Sequence, residues 1–291
     1  MNPVVLLIAS GNAFFIGIGL TVAAFVLRLW LGSRFWVSAL AVGWLVGISL
    51  VVLSATPMSY WLYGLWFVLC VAVRVAFNLR TSFPWRISLV LAFAFFSLSL
   101  CLTELPYRWL QPLIVFPNEP VFVLGDSISA GMGNQERTWP QVLGELSHLP
   151  VTNLARPGAT IETAMDQVRD INAANPLVLV EIGGNDLLGH TDRGTFYRQL
   201  DMLLLKLKGR NGQIVMFELP LLPFWNAYGR DQRRLAEKYG VTLVPKSCLA
   251  GIFGARGNTV DGLHLTQKGH DELARTVNRW LIPFKPAGPR N

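Results

Sequence analysis

No aspartate or glutamate occurs in this 291-residue chain before Glu104. Across residues 1–103 the only charged side chains are Arg28, Arg34, Arg74, Arg80 and Arg86. A water-soluble helical core of that length would still need acids and amides on its wet faces. Four apolar stretches fill the segment instead, at residues 4–27, 35–53, 60–77 and 87–102, separated by short polar or Pro/Gly breaks. A bilayer span takes about 20 apolar residues. The last stretch is slightly short, and its start can extend back to Pro84 or Trp85. Four transmembrane helices are expected. A cleavable signal peptide fits poorly, because the leader has no basic n-region and three more apolar segments follow it.

The arginines orient these helices. Arg28 and Arg34 sit in the first loop and Arg80 and Arg86 in the third, with Arg74 near a helix end; the middle loop, 54–59, is uncharged. By the positive-inside rule the first and third loops are cytoplasmic. Both chain ends then lie on the other side, and the domain after the fourth helix is expected to be extracytoplasmic. Trp30, Trp36, Trp61, Trp85 and Trp109 fall near the expected helix ends, as an interfacial belt would. Residues 104–120 carry Pro106, Pro112, Pro117 and Pro120 between apolar and aromatic side chains, which excludes a long helix and suggests a linker lying at headgroup level.

Composition changes sharply after that point. The apolar segment contributes +5 to the net charge of +7, while the remainder, with 20 basic and 18 acidic residues, is nearly neutral. There is no Lys/Arg stripe, which excludes nucleic acid as a partner. Cys70, Cys101 and Cys248 are too few and too scattered for a disulfide framework or a thiolate metal site, and Cys248 reads as a buried structural thiol.

In the second half, strand-like runs at 121–124, 150–154, 177–182, 213–219 and 241–244 alternate with helical patterns at 139–148, 161–174, 195–208, 226–239 and 267–281. That alternation predicts a parallel sheet with helices on both faces, in a domain taken as 121–291. Sites in such sheets lie beyond the carboxyl ends of the strands. Four motifs fall there: Gly125-Asp126-Ser127-Ile128-Ser129, Pro157-Gly158-Ala159-Thr160, Gly183-Gly184-Asn185-Asp186 and Asp261-Gly262-Leu263-His264.

Together they meet the requirements of acyl transfer. Ser127 is the expected nucleophile, His264 its general base and Asp261 the acid that orients the imidazole. The backbone N–H groups of Ser127 and Gly158 and the Asn185 amide are the expected oxyanion donors. Asp126 and Asp186 read as structural hydrogen-bonders. His148, His190 and His270 read as exposed and without a role.

These four blocks resemble those of the SGNH/GDSL hydrolase family. The surrounding GDSISAGMG, TWPQVL and LVEIGGNDLLG are similar to its bacterial periplasmic thioesterase/lysophospholipase/arylesterase branch. Over residues 120–282 the resemblance implies a flavodoxin-like three-layer α/β/α fold and hydrolysis of esters or thioesters with no metal and no cofactor. It assigns the family residues to Ser127, Gly158, Asn185 and His264, with Asp261 completing the triad. That branch is mostly secreted and soluble, so the helices set this chain apart. The leading expectation is a membrane-anchored serine esterase whose partners are the bilayer and an acyl ester, most simply a lysophospholipid. An O-acyltransferase or deacetylase acting on an envelope glycan is the alternative, and a catalytically silent binding protein the third. The apolar run 219–228, LPLLPFWNAY, reads either as lining for an acyl pocket or as core.

Overall fold

A computed structural model describes residues 3–79, 81–110, 112–133 and 136–283. Arg80, one of the orienting arginines, lies outside the described residues. The chain divides into two compact units. One contains Val4–Arg108 and Leu221–Arg230; the other contains Trp109–Pro220 and the chain from Asp231 onward.

The helical unit opens with α1 (Pro3–Ala9) and α2 (Asn12–Arg28), followed by α3 (Arg34–Leu53), α4 (Tyr60–Asn78) and α5 (Phe83–Glu104), the last running on through a 3₁₀ turn at Leu105–Arg108. Three helices are long and apolar enough to cross a membrane, and a fourth span exists if the bent pair α1–α2 is one. The first expected helix is therefore not continuous. Gly11 takes a left-handed conformation, φ 79°, that favours glycine, and the pair bends there by 90°. All five belt tryptophans, Trp30, Trp36, Trp61, Trp85 and Trp109, are exposed.

Inside the unit, Phe14, Phe25, Trp66 and Phe93 form the aromatic centre of an apolar core. Two of its buried polar groups are paired within it: Trp66 Nε1 donates to Ser97 Oγ at 3.0 Å, and Thr21 Oγ1 donates to the Gly17 carbonyl at 2.9 Å. Helices α2 and α3 meet at two glycines. A Cβ on Gly17 would stand 2.6 Å from the Gly47 carbonyl oxygen, and one on Gly47 would stand 2.7 Å from Thr21 Cγ2. Close backbone approach at small residues is the usual way for apolar helices to pack where no hydrophobic force drives them together. Gly17→Leu should accordingly cost about 1–3 kcal/mol or more as an overpacked interface, while Gly19→Leu, with open space around its Cβ, should be near neutral. Thermal melts of the purified full-length variants in detergent compare the two. An equal effect at both positions would remove the close-packing argument.

The second unit continues the order with β1 (Leu113–Val115), β2 (Val121–Gly125), α6 (Ser127–Ala130), α7 (Trp139–Ser147), β3 (Val151–Asn153), α8 (Ile161–Arg169), β4 (Leu177–Glu181), α9 (Gly184–Leu188), α10 (Arg193–Lys208) and β5 (Gln213–Phe217). It closes with α11 (Asn226–Tyr239, whose first turn belongs to the helical unit), β6 (Thr242–Val244), α12 (Lys246–Gly254), α13 (Gln267–Asn278) and β7 (Leu281–Pro283). The main sheet is parallel throughout, in the order β3-β2-β4-β5-β6. That is the doubly wound, flavodoxin-like arrangement. Every residue of β2 and β4 is buried, which is why both read as unbroken apolar runs. Val121, Val123, Leu177, Leu179, Val215 and Phe217 pack with residues of α7, α12 and α13, and the alternate residues, including Leu124, Val180 and Met216, are buried on the opposite side.

The residues read as an interfacial linker are partly built into this unit. Leu113–Val115 pairs in parallel with Leu281–Pro283, starting from the Leu113 N–H bond of 2.7 Å to the Trp280 carbonyl. The unit thus begins at Trp109 rather than at residue 121. The run 219–228 is divided as well: Leu219 and Leu221 are buried, whereas Leu222 and Phe224 are exposed.

Candidate active site

The site is assembled from turns that follow four different elements. At the end of β2, Gly125 must lack a side chain, since a Cβ would lie 2.7 Å from Ser129 Oγ and 2.8 Å from the Glu181 carbonyl oxygen. Gln167 of α8 grips the same residue from the other side. Its Oε1 accepts from Gly125 N and its Nε2 donates to Gly125 O, both at 3.0 Å. The turn itself is set by Asp126, whose Oδ1 accepts from Ile128 N at 3.0 Å. Ser127 follows, half-buried, as the first residue of α6.

The second and third blocks are tied to the first by one amide. Asn185, in the first turn of α9, donates through Nδ2 to the Ala159 carbonyl at 2.9 Å and, more weakly, to Asp126 Oδ2 at 3.4 Å. Next to Ala159, Gly158 is exposed at φ 74°, with open space where a Cβ would be. Asp186 accepts from Ile161 N at 3.0 Å, fixing the start of α8 against the start of α9. Asp126 and Asp186 are thus both acceptors of backbone N–H groups.

The fourth block is a self-braced loop ahead of α13. Val260 N donates to the His264 carbonyl at 2.9 Å, and Gly262 at φ 98° closes the turn. Asp261 Oδ1 accepts the backbone N–H groups of Leu263 and His264, at 3.0 and 2.9 Å. Its Oδ2 lies 2.6 Å from His264 Nδ1. The His264 side chain, then the two backbone donors, hold the Asp261 carboxyl well below the usual carboxylate range. A carboxylate can only accept, so the contact assigns a proton to Nδ1, and in the neutral imidazole Nε2 is then the acceptor. His264 also acts electrostatically on Asp126, the neighbour of Ser127. Among the described residues no hydrogen bond joins Ser127 to His264.

Sequence reasoning missed the floor beneath this turn. Trp139 Nε1 donates to Ser129 Oγ at 3.0 Å, and Ser129 Oγ donates to Glu181 Oε2 at 2.9 Å. Glu181 pairs in register with Gly125 and is fully buried; burial first, then the Asp126 charge, raises its carboxyl far above the ordinary value. Burial likewise pushes Asp126 up to about 6, against the pull of the Ile128 N–H and of His264. His270, read as exposed, is buried in α13, where Nδ1 accepts the Trp139 backbone N–H at 3.1 Å and burial lowers its pKa. A 460 Å³ cleft lined by Val115, Leu146, Leu149 and Leu281 contains none of the motif residues.

The raised Asp126 has a consequence for stability. Between about pH 4 and pH 6 the folded chain keeps a proton that the unfolded chain has released. The contribution is therefore complete at the acid end and is lost as pH rises through the folded value. Asp126→Asn keeps an acceptor for Ile128 and removes the titration. It should flatten the decline in melting temperature over that interval, and an unchanged slope would place the titration elsewhere.

The sequence profile of the GDSL-like Lipase/Acylhydrolase family matches residues 123–272. The chain is 26% identical over 178 residues to an arylesterase of Vibrio mimicus, spanning 57% of this chain and 89% of the relative. Among solved structures it resembles the crystal structure of TesA, with a TM-score of 0.50 at 24% identity over 56% of this chain and 97% of the other. It also resembles the psychrotrophic esterase EstA of a Pseudoalteromonas species, with a TM-score of 0.48 at 22% identity over 56% and 98% of the two chains.

Proposed function

The chain belongs to the GDSL-like lipase/acylhydrolase family and is an ester-hydrolysing serine hydrolase, and from that premise we propose that it is a membrane-anchored esterase acting on acyl esters of lipids through Ser127, His264 and Asp261. The observation that carries the catalytic assignment is the 2.6 Å Asp261–His264 pair, braced by two backbone N–H groups. In the proposed reaction Nε2 takes the Ser127 hydroxyl proton as Oγ attacks the ester carbonyl carbon. The C=O electron pair moves onto oxygen, where the backbone N–H groups of Ser127 and Gly158 and the Asn185 amide receive it. Collapse expels the alcohol, which leaves with the proton from His264. Water, deprotonated by the same nitrogen, then releases the acid and restores Ser127.

Support for a lipid substrate comes from the apolar helices, long enough to cross a bilayer. They would keep the enzyme on the surface where acyl lipids are concentrated. The arylesterase relative makes short aryl esters the practical assay. A fluorophosphonate probe should label full-length protein at Ser127 and abolish hydrolysis of both an aryl acetate and vesicle-embedded lysophospholipid. Labelling at any other residue would defeat the triad assignment, whereas labelled protein inactive on the lipid alone would defeat only the substrate.

The proposed location of the catalytic unit is extracytoplasmic, following the arginines at residues 28, 34, 80 and 86. Reporter fusions after Arg34 and Arg86 should read cytoplasmic, and those after Pro57 and at the C-terminus extracytoplasmic. A cytoplasmic C-terminus would reverse the orientation and move the enzyme to the other compartment.

A further inference from the structure

Three guanidinium groups gather at one end of the helical unit, on an aromatic platform. Arg28, the last residue of α2, lies over the Phe77 ring with its Cζ 5.5 Å from the centroid. Arg86 of α5 lies over the same ring at 5.7 Å and over Phe83 at 5.9 Å. Arg74 of α4 lies over Trp44 of α3 at 5.6 Å. The charges of Arg74 and Arg86 both act on Arg28. Four helices thus contribute side chains to one cationic cluster.

Ring faces offset only part of this charge. A cation over an aromatic ring gains about 0.5–2 kcal/mol, and the carboxyl end of α2 favours Arg28 within its last turn. Neither supplies an acceptor for the N–H groups. Arg28 donates through Nη1 to the Leu31 carbonyl at 3.1 Å. The Nε atoms of Arg28 and Arg86 are shielded from solvent and, among the described residues, find no acceptor. No acidic side chain exists anywhere in residues 1–103 to supply one. Arginines serving only as orientation signals would be free to spread into water and the headgroup layer. Arg28 and Arg86 instead converge on Phe77 despite like charge.

We infer that the Arg28–Arg74–Arg86 cluster binds a phosphate-bearing anion at this end of the helical unit. The guanidinium fork matches phosphate oxygens, and the terminal Nη groups of neighbouring arginines can make paired bonds to them. Basic pockets between membrane helices take anionic headgroups in this way. The phosphate could arrive as the headgroup of an anionic phospholipid or as a free phosphate, and the two sources are separable.

The test uses full-length protein. In one arm it is placed in nanodiscs of phosphatidylcholine with and without phosphatidylglycerol; in the other, in neutral detergent with sodium phosphate or with sodium chloride at equal ionic strength. Bound lipid is read by native mass spectrometry and protection by thermal melting. Phosphatidylglycerol should be retained and should raise the melting temperature. Each arginine exchanged for glutamine, Arg28→Gln or Arg86→Gln, should weaken retention about fivefold, the worth of roughly 1 kcal/mol per cation near an anionic surface. Arg34→Gln, at the exposed start of α3, should leave it unchanged. Protection by phosphate in detergent would identify a free anion as sufficient, and protection by phosphatidylglycerol alone would identify the lipid. Retention unaffected by either substitution, or no preference for an anionic phosphate in either arm, would overturn the inference. So would a double variant that melts well below wild type in phosphatidylcholine alone, since the arginines would then be serving the fold.

Discussion

Ser127→Ala and His264→Ala should each lower kcat by about 10⁴- to 10⁶-fold, and the double variant should be scarcely worse than either. In the proposed reaction one proton links the two groups. Without Ser127 there is no oxygen for His264 to deprotonate; without His264 the hydroxyl remains a weak nucleophile. What survives in each variant is catalysis by positioning and by oxyanion donors, which neither substitution removes. Asp261→Asn should cost less than removal of His264. The variant keeps an acceptor for the Leu263 and His264 backbone N–H groups through its Oδ1, yet it can present an NH₂ to His264 Nδ1 and favour the wrong tautomer. A drop of up to about 10⁴-fold is the reference for that change. All three variants should fold, because Ser127 and His264 are only partly buried and Asp261 lies at the surface. Losses that multiply in the double variant would show two independent functions, and the shared proton path would fail.

Much of this site was legible because its chemistry is written in local turns. GDSIS, PGAT, GGND and DGLH each follow an apolar run or precede a helix, and a parallel sheet has only one edge at which they can meet. Five strands and five helices lie within a few residues of the positions that alternation predicts. What escaped detection depends on distant partners. Glu181 closes an apolar run, and nothing local distinguishes a solvated end residue from a fully buried acid that accepts from Ser129. Gln167 lies inside a polar-looking helix, yet it completes the hydrogen bonding of Gly125 across 42 residues. His270 has polar sequence neighbours but shares the buried face of α13 with Leu273, Ala274 and Val277, which is a matter of helical phase. The pairing of Leu113–Val115 with Leu281–Pro283 joins segments from opposite ends of the unit, so the prolines around it correctly excluded a helix without revealing a strand. In the apolar half, composition located the helices but could not foresee the bend at Gly11, because one glycine in an apolar run is compatible with a straight span.

Asn185→Ala should reduce kcat by about 10²- to 10³-fold, on the order of 3 kcal/mol, with little change in KM. The geometry explains both halves of that expectation. The amide plane is fixed by its 2.9 Å bond to the Ala159 carbonyl, beside exposed Gly158. Its only other acceptor among the described residues is Asp126 Oδ2, at a distance of 3.4 Å that makes a poor hydrogen bond. A donor already held in place but weakly engaged can turn to a developing oxyanion at small reorganisation cost, and in the ground state it has no charge to meet. The gain is therefore confined to the transition state, and kcat falls while binding is kept. Truncation also removes a neighbour of the buried Asp126, so part of any loss of stability should appear as a change in its titration. Asn185→Asp separates the two effects. The carboxylate is nearly isosteric, cannot donate when ionised and would repel both the oxyanion and Asp126, so its kcat should fall below that of Asn185→Ala. If Asn185→Ala instead raises KM at constant kcat, the amide holds the substrate rather than its transition state, and the remaining oxyanion donors would be the backbone groups of Ser127 and Gly158 alone.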